Sequence, residues 1–148
     1  MIRSGSDSAL LEWLLLFTLS APSWAYRQGY TLTITAEGAS SSEGVVGVLV
    51  FNSPQGWPTD NTRAFRAVAV PAHPGSFEIQ VSNLPPGACA AVVLHDLNEN
   101  RKLDRTWFGK PTEQWGMSDN QPVNFSASGF SQAGFTLDRD EAISVVLH

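Results

Sequence analysis

From residue 30 onward the chain alternates. "SFEIQVS" (76–82) sets Phe77, Ile79 and Val81 against Ser76, Glu78 and Gln80, and "YTLTITAE" (30–37) sets Leu32 and Ile34 among threonines. A period of two sends successive side chains to opposite faces of an extended backbone, which suits half-buried strands. "VVGVLVFN" (45–52) and "ACAAVVLHD" (88–96) are continuously apolar, too short for helices and fitting as central, buried strands. "AFRAVAV" (64–70), "AGFTLD" (133–138) and "EAISVVLH" (141–148) bring the strand candidates to seven. Between them lie breakers: "EGASSSEG" (37–44), "SPQGWPTDNT" (53–62), "NLPPG" (83–87), and "DRD" (138–140) at a hairpin position. Seven short strands among turn signals, with no helical periodicity, predict an all-β fold, a seven-stranded antiparallel β-sandwich. The inward phase assigns Phe77, Ile79, Val81, Val92, Leu94, Val145 and Leu147 to its core.

The chain has 148 residues, room for one domain. Its net charge of −5 and lack of a Lys/Arg cluster argue against nucleic acid, because phosphate binding needs clustered cations. The densest basic stretch, Arg101, Lys102 and Arg105, sits among acids. The N-terminus reads as a signal peptide over 1–25: Arg3, then the apolar run "ALLEWLLLFTLS" (9–20), then "APSWA" with small residues before a cleavage point after Ala25. Residues 26–148 then form the mature domain, exported to the periplasm or the medium, with no membrane span after cleavage and expected to be a monomer. Cys89 is the single cysteine, so no intrachain disulfide forms.

The polar run "HDLNENRKLD" (95–104) carries the main chemical candidate. Asp96, Asn98 and Asn100 fall at positions 1, 3 and 5 of a calcium loop, with the Lys102 carbonyl at 7 and Asp104 at 9. Position 6, where such loops turn, holds Arg101, and position 12 holds Trp107, which has no carboxylate. Glu113, Asp119 or Asp138 would have to supply the missing oxygens. Neutral Asn at two ligand positions makes this a weak Ca2+ site. The competing reading is an Asx-turn loop that caps its own amides.

Trp57, Trp107 and Trp115 fall in expected loops, with Phe108 beside Trp107. Trp107, Phe108 and Trp115 are candidates for contact with a carbohydrate or protein partner, since aromatic faces stack on sugars and anchor interfaces. Loops folded over one end of the sandwich as a lid are the plainer alternative. Counting strands sends the 53–62 and 96–131 loops to opposite ends, against a single patch. Catalysis is not expected: His73 and His148 are isolated, and Ser118 has no evident base. The enzymatic alternative is a hydrolase-type site on the 96–120 loop that gathers His95, Asp96 and Asp104.

Four segments, "GVVGVLVFNSPQGWP", "NLPPGACAAVVLHDLNENRKLD", "WFGKPTEQWGMSDN" and "AGFTLD", resemble in order those of the bacterial family called domain of unknown function 2141. The resemblance covers nearly all of residues 30–148. It implies a small exported protein with a transthyretin-like or immunoglobulin-like Greek-key sandwich and no established activity. Two positions depart from the family pattern: Cys89 stands where an aromatic is usual, and Arg101 where a glycine is, which weighs against metal.

Overall fold

The computed structural model describes residues 29–121 and 127–148. The signal-peptide expectation for residues 1–25 lies outside them. The elements are β1 (Tyr30–Ala39), β2 (Val45–Phe51), β3 (Arg66–Pro71), β4 (Gly75–Leu84), β5 (Gly87–Asp96), β6 (Trp115–Met117), the single-turn helix α1 (Phe130–Ala133), β7 (Phe135–Leu137) and β8 (Glu141–Val146). They form an all-β fold of two sheets, ordered β4-β1-β8 and β3-β2-β5-β6. β7 pairs with β5 at Gly87–Cys89, beyond the Val92–Leu94 stretch taken by β6.

Two features correct the sequence expectation. The described residues hold eight strands, not seven, because β6 sits inside the stretch read as irregular. The sheets are also not wholly antiparallel: β8 runs parallel to β1, with Ile34 opposite Ile143, while β4 pairs antiparallel on the other side with Ile79 opposite Ile34. β6 is short and lacks alternation, so its own residues do not announce it. Its position is fixed by Gly116, where a Cβ would overlap the Val146 carbonyl. Trp115 and His148 exchange backbone hydrogen bonds at 3.4 and 3.1 Å, so the two sheets are joined along this side. The Asn120 side chain extends the seam: it donates to Ser144 O and accepts from Val146 N, both at 2.9 Å.

The inter-sheet core is built by the alternation. Leu32, Ile34, Ile79, Val81 and Val145 face Val46, Val48, Val50, Ala91 and Val93, all buried. Each such side chain contributes roughly 1.5–3 kcal/mol on burial. Ile79, Val81, Val145 and Leu147 are core as expected, and Phe77 is half-buried against it. β5 departs from the expectation. Its inward residues are Ala91 and Val93, whereas Val92 and Leu94 join a second cluster with Trp115 and Met117. An apolar run covered on both faces carries no phase, so periodicity alone could not choose between them.

Candidate functional site

The outer face of the β3-β2-β5-β6 sheet carries two rows of side chains set by register. One runs Ala67, Leu49, Val92, Met117; the next runs Ala69, Gly47, Leu94, Trp115. Side chains are small on the β3 side and large on the β6 side, so the floor steps down toward Gly47 and the two alanines. Two loops rise over it. The 52–65 loop leaves β2 where Phe51 pairs with Ala90, and the 97–114 loop leaves β5 where Asp96 pairs with Val45. They start at opposite ends, as the strand count required, yet both fold back across the face. Asn61 Nδ2 donates to the Arg101 carbonyl at 3.2 Å and joins them.

Between floor and loops lies a cleft of about 570 Å3, within the range of small-molecule sites. Its apolar surface is Gly47, Leu49, Val92, Leu94 and Trp115, and its rim carries Arg101 and Lys102. A polar hollow of about 360 Å3 shares Thr59, Asn61, Arg101 and Lys102 with it and adds Asp60 and Arg105. Trp115 is 2 % exposed, and its indole Nε1 has no hydrogen-bond partner among the described residues. A buried donor without an acceptor is uncommon and costs about 1–3 kcal/mol. On the rim, the Thr62 hydroxyl donates to Asp60 Oδ1 at 2.6 Å and holds that carboxyl below its usual range, aided by the Thr62 amide and the Arg63 charge and opposed by desolvation.

The 96–104 loop closes on itself. Asp96, 2 % exposed, accepts from Asn100 N at 3.1 Å and from Arg101 N at 2.7 Å. Asn98 Oδ1 accepts from Asn100 N, and Asn100 Oδ1 from Lys102 N, each bond an Asx turn. Asn98 and Asn100 present their Nδ2 groups to the Asp104 carboxylate at 2.7 and 2.9 Å. Glu99 and Arg101 take left-handed φ values of 59° and 62°. Of the three distant carboxylates considered, Glu113 reaches this loop, accepting from Leu97 N and Asp104 N, both at 3.0 Å. Asp119 and Asp138 bond elsewhere, to Gln121 N and Arg139. Among the described residues no three His, Cys, Asp or Glu side chains are grouped to hold a metal.

The aromatic residues divide. Trp57 donates Nε1–H to Ser128 O at 2.7 Å and meets Phe51 and Phe130 edge-on at 5.4 and 6.0 Å. Trp57, from its loop, and Trp115, on strand β6 and not in a loop, cover the outer face of the sheet; the lid expected over one end of the sandwich is a cover on its side. Trp107 and Phe108 do the opposite, at 96 % and 88 % exposed. They occupy the middle of a turn closed by Gly109 N to Thr106 O at 2.8 Å, with Gly109 at φ 80°, a value that favours glycine. The three expected contact residues thus do not share a patch.

His95 is buried, with Nε2 2.8 Å from Glu43 O and Nδ1 3.5 Å from Gln114 Oε1. Both partners are carbonyl oxygens and only accept, and the shorter contact, to Glu43 O, is the one a ring N–H donates. The cleft takes in Asp96 but neither His95 nor Asp104. The sequence reading missed Gly47, Asn61, Ala67 and Ala69. The available signal was small residues at the outward phase of otherwise large-residue strands.

A family model described as "Uncharacterized protein conserved in bacteria (DUF2141)" matches residues 34–144. No curated protein and no solved structure matches the chain. Among the described residues no helix is long and apolar enough to cross a membrane.

Proposed function

We propose that this chain, which belongs to the bacterial DUF2141 family, is an exported binding module whose cleft takes a small amphiphile with one anionic group. The carrying observation is an apolar cleft, lined by Gly47, Leu49, Leu94 and Trp115, that opens onto Arg101, Lys102 and Arg105. An apolar body suits the stepped floor, and an anionic end suits the cationic hollow. Binding is favoured over catalysis because the ring nitrogens of His95 face Glu43 and Gln114 within the fold. In this reading the two sheets form a transthyretin-like or immunoglobulin-like sandwich serving as a rigid frame for two loops.

The test compares decanoate, below its micellar range, with decanol, below its solubility limit, by the melting temperature of the protein. Decanoate at about 100 times its Kd should stabilise by about 2.7 kcal/mol, and decanol should do much less. Gly47→Val should abolish the response while preserving the fold, since a Cβ there meets only the Leu94 and Val68 carbonyls at 4.0 Å. Equal responses to acid and alcohol, or a response untouched by Gly47→Val, would sink the reading.

A second reading concerns calcium. The observation favouring it is Arg101, which adopts φ 62° at the sixth loop position, where calcium loops turn, with Glu113 packed against the same loop. Ca2+ would be held by Asp96, Asn98, Asn100, the Lys102 carbonyl and Asp104. Its entry would displace the Asn98 and Asn100 amide groups from Asp104, because their Nδ2 hydrogens stand where a cation would bind. Trading those bonds for metal bonds keeps the affinity low. A melting temperature that rises with calcium, falls with chelator and ignores magnesium would support it.

A further inference from the structure

We propose that the Thr106–Gly109 turn is a docking tip that seats on an anionic bilayer surface. Trp107 and Phe108 are its two central residues, and at 96 % and 88 % exposed they make essentially no use of their apolar area within the fold. Single exposed apolar residues are ordinary on protein surfaces; two adjacent, fully exposed aromatic rings on a projecting turn are a concentrated apolar point. The turn is braced to stay in that form. Thr106 N donates to Lys110 O at 2.7 Å, Arg105 and Pro111 form an antiparallel bridge, and Arg105 Nη1 donates to Gly109 O at 2.9 Å.

Charge selects the partner. Arg101, Lys102, Arg105 and Lys110 are four of the nine cations of a chain whose net charge is −5, and they lie within ten residues. Among the described residues the ion pairs involve Arg139, with Asp138 and Glu141, and none of these four. From Arg105 to Thr112 there is no acidic residue. Carboxylates flank this stretch, Asp96, Glu99, Asp104 and Glu113 in the adjoining loop and Asp60 in the polar hollow, but none lies within 105–112, so the tip itself carries the charges of Arg105 and Lys110. A neutral sugar or an apolar protein pocket would gain nothing from this collar of cations. An anionic lipid headgroup layer would, while the rings settle at the headgroup boundary that Trp favours. Two residues at a turn reach only the interfacial layer, so the association is peripheral and reversible. Arg101, Lys102 and Arg105 also line the cleft and its polar hollow, whereas Trp107 and Phe108 line neither, so the variant of the two rings separates this association from binding in the cleft.

The exported chain, as recovered, is sedimented with vesicles of phosphatidylcholine containing phosphatidylglycerol and with vesicles of phosphatidylcholine alone. The readout is the difference between wild type and variants, so that any contribution of the 9–20 apolar run in an uncleaved chain cancels. Wild type should favour the anionic vesicles and should dissociate in about 1 M sodium chloride, where the Debye length is about 3 Å. Trp107→Ser/Phe108→Ser should lower partitioning at least tenfold. Arg105→Gln/Lys110→Gln should lower it about thirty-fold, the factor for two cations at ~1 kcal/mol each. Arg66→Gln/Arg139→Gln, with the same change in net charge away from the tip, should bind as wild type does. The proposal is overturned if wild type does not sediment with anionic vesicles, if it binds neutral vesicles equally well, or if the tip variants match the control pair.

Discussion

Asn61 Nδ2 donates to the Arg101 carbonyl at 3.2 Å, and this one bond links loops that leave their sheet at opposite ends. Both residues line the cleft. The bond is exposed to solvent, so its net contribution to stability is at the low end of about 0.5–1.5 kcal/mol. Its larger effect is on the geometry above the sheet. Asn61→Ala should leave the melting temperature nearly unchanged and halve or abolish the decanoate response. Unchanged ligand response in a loop-opened variant would mean that the two loops do not act together.

Core and seam should respond differently from the surface. Ile79→Ala should cost about 2–5 kcal/mol in denaturant unfolding, because Ile79 is 2 % exposed in the inter-sheet core. Gly116→Ala should cost about 1–3 kcal/mol or more, since its Cβ would force β6 from the Val146 carbonyl. A loss under about 0.5 kcal/mol for either, the range of surface sites, would contradict the packing described.

Substitutions in the 96–104 loop distinguish a self-capped turn from a calcium site. Asp96→Ala should cost about 2–3 kcal/mol without any metal, because two amides lose a buried carboxylate acceptor. Arg101→Gly should stabilise by up to about 1 kcal/mol, since glycine takes φ 62° without strain. If Ca2+ binds with Kd near 10⁻⁴ M, about 2 mM calcium should add roughly 1.8 kcal/mol, or about 4–9 °C in Tm. Asp96→Ala should erase that increment. A Tm indifferent to calcium and chelator in the folded wild type leaves the self-capped turn as the whole account.

Cys89 supplies a pH dependence with a definite sign. Burial pushes its thiol up from 9.0 to about 11. The folded state therefore keeps a proton that the unfolded state releases near pH 9. The associated stability is fully present below pH 9 and is lost as pH rises through the interval to about 11. Comparing Cys89→Ala with wild type across that interval isolates this slope from those of Tyr and Lys. Alkylation of the native thiol should likewise reach half its maximal rate near pH 11; a midpoint near 9 would show an accessible side chain.

The proposed export predicts a covalent mark: on the "APSWA" exit, cleavage is expected after Ala25. Intact mass or N-terminal sequencing of protein from the periplasm or medium should find Tyr26 first, and a chain retained at the membrane with Met1 in place would exclude it.

Alternation was enough to place most of the fold. Ile79 and Val81 could be assigned to one face because Glu78 and Gln80 between them need water, and that contrast exists in the residues themselves. The Asx turns of Asn98 and Asn100 and the amide caps of Asp96 were legible for the same reason, since each bond spans at most five residues. What tertiary structure alone decided is non-local. β6 becomes a strand because the β5 edge and Val146 lie on either side of Gly116, neither of which its three residues can indicate. Val92 and Leu94 face outward because Trp115, Met117 and Trp57 cover that face. The cleft exists because Gly47, Ala67 and Ala69, on two different strands, fall in register beneath loops that meet at Asn61 and Arg101. Local pattern encodes which side of a backbone avoids water; which distant segment supplies the cover is settled only when the sheets assemble.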